Sequence, residues 1–149
     1  MPLDASTPPH GPDRKALHRL SDWDRRLLEY LNLRRDVPYI WGANDAISFG
    51  LGAVHAVTGV HIWPVTWNSQ EQARRAVEAE GGLNVALDRI LGASQSRPTS
   101  VRRGDLVFVG KGMVGVLGVS TGETLVLPSR DGLTVMPIDD WTLLSWEVG

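Results

Sequence analysis

Few residues in this chain have the types and spacing that chemistry needs. The sequence contains no cysteine, which removes thiol catalysis, thiolate metal sites and disulfides together. The hydroxyl best placed to act as a nucleophile is Ser48, inside "WGANDAISFG" (41–50). Its nearest helical base is His55, seven positions on. That offset is about 10 Å along a helix axis, against the ~3 Å a proton transfer requires. The bland reading of Ser48 is a helical hydroxyl bonded to a carbonyl one turn back. The histidines are His10, His18, His55 and His61, and none has the HExxH metal spacing. Asp45 stands at the opposite end of its helix from His61, so no metal or cofactor is expected. Asp45 instead suits the free amides of a first helical turn.

The elements around these residues follow from periodicity. Trp23, Leu27, Tyr30 and Leu31 recur at helical spacing and predict a first helix from Ser21 to about Arg34, with Ser21 and Asp24 as a capping box. Pro38 ends any helix before it. A second helix is expected from near Asp45 to Gly59. Ile47, Leu51 and Val54 make one of its faces; Ala46, Gly50, Ala53 and Val57 make a face of mostly small residues. Two such faces predict a central helix buried on more than one side. A third helix follows, with Asn68 or Ser69 as cap and Gly81-Gly82 as stop, and "NVALDRILG" makes a short fourth. After Gly104 the period changes. "DLVFVG", "VGVLGVS", "ETLVLPS" and "LTVMPI" predict an antiparallel meander, followed by a turn of helix capped by Asp139 or Asp140 and a last strand around Trp146. Helices first and strands after argue α+β. Asp105 should bond the turn at Arg103-Gly104.

Bulk properties narrow the function classes. A chain of 149 residues with net charge -2 and no long apolar run suits one domain without a membrane span. The pairs Arg34-Arg35, Arg74-Arg75 and Arg102-Arg103 are diluted by acidic neighbours, and no basic strand is interleaved with aromatics, so no nucleic-acid partner is expected. Residues 1–17 hold four prolines and a glycine and read as a flexible or partner-bound arm, with 18–149 as the folded domain. Six tryptophans is a high count. Trp23, Trp41, Trp141 and Trp146 have positional reasons to be in the core. Trp63 and Trp67, with Pro64 between them in "HIWPVTWNS", either anchor an interface or lid the core.

"DVPYIWGANDAISFGLGAVHAVTG" resembles the nucleophile segment of NlpC-like cysteine peptidases, which share a papain-like fold. It is most similar to a family of small phage and prophage proteins in which a "PFxWG" run leads to His-Asp-Cys at the start of the central helix. "RRGDLVFVGKGMVGVLG" is similar to the Gly-Asp strand and the following Gly-His-Val-Gly strand that supplies the base. "DGLTVMPI" and "WTLLSWEV" resemble the family's tail, so the likeness spans about residues 20–149. The resemblance implies a papain-like α+β fold. Three positions depart from the pattern. Asn44 stands where that family often has His, Ala46 where it has the catalytic Cys, and Met113 where it has the base. Ala and Met neither hold nor release a thiol proton. The resemblance therefore implies a catalytically inactive structural or assembly protein of a bacteriophage tail tip, baseplate or phage-derived particle. Its partners would be other tail or baseplate proteins, and its place the virion or the bacterial cytoplasm during assembly. Two alternatives stand beside it. One is a cell-wall peptidase or amidase captured as a Cys-to-Ala change at position 46. The other is a module that binds peptidoglycan fragments in the remnant cleft.

Overall fold

The computed structural model describes residues 17–63, 66–97, 100–111, 114–138 and 143–149. Four helices precede five strands: α1 (Trp23–Arg34), α2 (Ser48–Thr58), α3 (Gln70–Ala79), α4 (Leu83–Leu91), β1 (Leu106–Lys111), β2 (Val114–Ser120), β3 (Thr124–Ser129), β4 (Gly132–Pro137) and β5 (Leu143–Trp146). The strands form a single sheet in the order β4-β3-β2-β1-β5, and each neighbouring pair is antiparallel. The α+β class expected from the change of period is present.

Side chains alternate between the two faces of the sheet. Leu106, Val119, Val126 and Trp146 are in register with one another and join the main core. Val107 and Leu125 point the other way, into a smaller cluster with Val101. The main core is built on α2. Phe49, Gly50, Ala53, Val54, Ala56 and Val57 of that helix are all buried. A Cβ on Gly50 would lie 2.8 Å from Leu117 Cβ and 2.9 Å from Leu106 Cδ1, so the absent side chain lets the helix press onto β1 and β2. On another side, Tyr30 of α1 stacks on Phe49 at 5.6 Å. Gly59 ends α2 in the left-handed conformation (φ 75°), a backbone state that glycine reaches without a Cβ penalty.

Two local expectations are corrected. The capping box at Ser21 and Asp24 does not form. α1 begins at Trp23, and no side chain caps its first turn. Asp24 instead meets Arg103 at 2.6 Å, and Asp22 meets Arg25 at 2.7 Å. Competition from arginines therefore takes both carboxylates away from the helix amides. The second correction concerns the arm: Leu17, assigned to it, is 4% exposed and belongs to the main core. Residues 1–16 lie outside the described residues, as do Pro64, Met113, Asp139, Asp140 and Trp141.

α3 is capped as expected, Ser69 Oγ accepting the Gln72 amide at 3.2 Å. Asp105 is buried and does more than close its own turn. It accepts from the Arg102 amide (2.9 Å), from Arg19 Nη2 (3.1 Å) and from the Val148 amide (3.3 Å). Arg19 also donates to the carbonyls of Val148 and Arg103. The segment before α1 is thereby tied to the segment after β5.

Candidate functional site

The site to which the sequence points is the junction leading into α2. Amides of Ala43 and Asn44 donate to the carbonyl of Ile40, forming the turn that precedes the helix. The Tyr39 amide donates to the Arg130 carbonyl and fastens this segment to the β3–β4 hairpin. Gly42 takes φ 91°, and a Cβ there would sit 2.1 Å from the Trp67 carbonyl oxygen. Only glycine fits that conformation and that approach together. This is a physical reason for the Trp-Gly pair in the motif.

Asp45 is the centre of the junction. It is fully buried, and its carboxylate accepts five hydrogen bonds. Oδ1 takes the amides of Ile47 and Ser48, both at 2.8 Å. Oδ2 takes the Gly42 amide (2.6 Å), Ser48 Oγ (2.7 Å) and Trp67 Nε1 (3.0 Å). The expected first-turn role of Asp45 holds: it caps the amides that α2 leaves free. Ser48 differs from expectation. Its hydroxyl donates to Asp45 rather than to a backbone carbonyl.

The three departures can now be placed. Asn44 is buried; its Nδ2 donates to the Val37 carbonyl at 2.9 Å, and its Oδ1 has no hydrogen-bond partner among the described residues. Ala46 is half-buried two residues before α2. Its carbonyl accepts the Leu117 amide at 2.7 Å, which joins the helix start to β2. Its own amide donates to Tyr39 Oη at 2.9 Å. Burial pushes the Tyr39 phenol up; the Ala46 amide works against that shift and the Asp45 charge adds to it. Met113 lies outside the described residues, immediately before β2 begins at Val114.

His55 and His61 come together, their rings stacked at 3.9 Å and 8° from parallel. Burial, then His61, then Arg26 hold the His55 imidazole below its ordinary value. Among the described residues no group of three or more potential ligands could hold a metal ion.

The tryptophans Trp63 and Trp67 are 8% and 5% exposed, in edge-to-face contact at 6.3 Å. Of the two readings, interface anchor and lid on the core, their burial agrees with the lid: their surface is covered within this chain, and Trp67 is fixed by its bond to Asp45. They also wall a cavity of about 200 Å³ that the sequence did not reveal. Arg34 of α1, Ser48 and Gly52 of α2, and His61 complete much of its lining. Ala46 is not among the lining residues.

The family described as a domain of unknown function (DUF6950) matches residues 18–148. The chain belongs to that family. No curated relative and no solved structure shows significant similarity to it. The DUF6950 match takes in the junction, the cavity and the whole sheet.

Proposed function

We propose that this DUF6950 chain is a catalytically inactive protein of NlpC-like, papain-like type, serving as a structural or assembly component of a phage tail tip, baseplate or phage-derived particle. One observation carries the inactive half of this reading. At the start of the buried central helix, where a nucleophile would stand against β2, Ala46 offers a methyl group, and its amide is engaged by Tyr39. Neighbouring groups do not replace the missing chemistry. Ser48 gives its proton to a carboxylate already held by four other donors. The assembly half of the reading rests on the sequence resemblance, with which the α+β class of the fold agrees.

The test begins with purified chain and cell-wall peptides. No hydrolysis is expected. The single Ala46→Cys variant should be equally inert, because an unassisted thiol is only a few per cent thiolate near pH 7. Turnover by Ala46→Cys would overturn the inactive reading and favour a peptidase. Mass spectrometry of native particles purified from producing cells tests the second half. The chain should copurify at fixed stoichiometry, and its absence from every particle fraction counts against an assembly role.

A further inference from the structure

The cavity beside α2 has the chemistry of a binding site, and it is separate from the Ala46 position. Its lining has two characters. The walls contributed by Trp63, Trp67 and Leu51 are apolar. Arg34 brings a charge. One of its Nη1 hydrogens goes to the Ala43 carbonyl at 2.8 Å, and the guanidinium lies 5.1 Å over the Tyr30 ring. Among the described residues, no carboxylate forms a salt bridge with Arg34, and its Nε and Nη2 meet no acceptor. The exposed Arg74, Arg75 and Arg89 and the half-buried Arg103 are each paired with an acid. A half-buried arginine with an unused donor edge beside a cavity selects a planar, bidentate anion.

Ser48 sets the second requirement. Its only hydrogen goes to Asp45, so toward the cavity its oxygen can only accept. Asp45 itself repels an anion, but its two oxygens are filled by five donors, and it is not among the lining residues. A ligand that suits both ends carries a carboxylate for Arg34 and an N–H for Ser48. The space, about 200 Å³, is below the roughly 300–1,000 Å³ usual for drug-sized ligands, so the group that enters is small.

We infer that this cavity binds a small carboxylate that also carries an amide N–H, of which the α-amido carboxylate is the smallest common form. That unit is the C-terminus of a peptide, and it is also a free N-acyl amino acid. Arg34 takes the carboxylate, Ser48 accepts the amide N–H, and a small side chain rests on Trp63. The assignment does not depend on the assembly reading.

The experiment is a ¹H–¹⁵N NMR titration of the full chain. The probes are N-acetylalanine, N-acetylalanine amide, and a short peptide with either a free or an amidated C-terminus. Saturable shifts in Arg34, Ser48, Gly52 and the Trp63 and Trp67 indoles are expected with the carboxylates, at a Kd on the order of 1 mM or tighter. Each amide should bind at least tenfold more weakly. Arg34→Gln should lose the same tenfold, and since the ligand pairs are compared on the unaltered chain, the result stands even if this variant folds poorly. Binding of the peptide alone assigns the site to a chain terminus; binding of N-acetylalanine as well admits the free compound. Equal binding of acid and amide, shifts confined to other surfaces, or no saturable shift with any probe overturns the assignment.

Discussion

At the scale of single residues, Asp45 decides whether the junction exists. Five donors converge on one buried carboxylate, and they come from three places in the chain: the turn, the helix start and Trp67. Removing the acceptor leaves donors without partners, which costs more than the bonds were worth. Asp45→Ala should therefore lower unfolding free energy by about 3 kcal/mol or more, combining a lost cap with stranded donors. Trp67→Phe is milder, about 1–2 kcal/mol, since Oδ2 keeps two of its donors and one indole N–H is removed cleanly. Urea denaturation measures both. A loss under 1 kcal/mol in Asp45→Ala would mean that water satisfies the junction. The helical role of Asp45 was legible, because an aspartate ahead of an apolar periodic run names its own function. Its bond to Trp67 was not, since the two residues are 22 positions apart and no local pattern links them.

At the scale of elements, α2 is the piece that most constrains its neighbours. Its small-residue face was readable in sequence, and the reason is now geometric: β1 and β2 lie against Gly50 too closely for a Cβ. Gly50→Ala gains helix propensity of about 1 kcal/mol but must displace Leu117 or Leu106, an overpacking cost of about 1–3 kcal/mol. A net loss of stability is expected, and a rise in Tm would show that the helix can lift from the sheet. The His55–His61 stack joins the same helix to the segment bearing Trp63. Arg26 of α1 faces His55, donating to its carbonyl, and no carboxylate salt-bridges either imidazole among the described residues. The folded chain thus takes a proton at His55 less readily than the unfolded chain, whose histidine titrates near 6.5. Stability from this contact is whole above that value and falls as pH drops through the window below it, down to the depressed folded-state value. Urea midpoints at about pH 7.5 and about pH 5.5 should differ less in His55→Asn than in the parent chain. An unchanged difference would show that the stack does not couple protonation to folding.

At the scale of the whole molecule, sequence patterning carried the layer order and left the convergences unread. The meander was visible because a two-residue period needs only adjacent positions; the return of β5 to pair with β1, which sets Trp146 beside Leu106, was not, because no local pattern links the two strands. The α1 capping box failed because Asp24 is drawn to Arg103, 79 positions away. The cavity was invisible for the same reason: Arg34 reads as half of a basic pair until the fold sets it beside Ser48 and Trp67. Arg19 is the clearest case of a residue whose meaning is only global. It ties the stretch before α1 to Val148, to Arg103 and to the buried Asp105. Two outcomes can be distinguished when that tie is cut by Arg19→Met. If it only pins loose ends, the terminal segments detach first: the Trp146 indole N–H resonance in ¹H–¹⁵N NMR spectra would change before the helical circular dichroism. If it holds the two halves of one core, both signals should remain coincident and shift together. The second outcome is expected, because Trp146 and Val148 share a core cluster with Leu27 of α1 and Phe49 of α2. The loss should be about 2–4 kcal/mol, since the buried Asp105 loses its closer guanidinium and keeps only the exposed Arg102, at 3.7 Å, as a charge partner. Arg19→Lys should recover less than half of it, because one ammonium cannot reproduce a fork that reaches three acceptors at once.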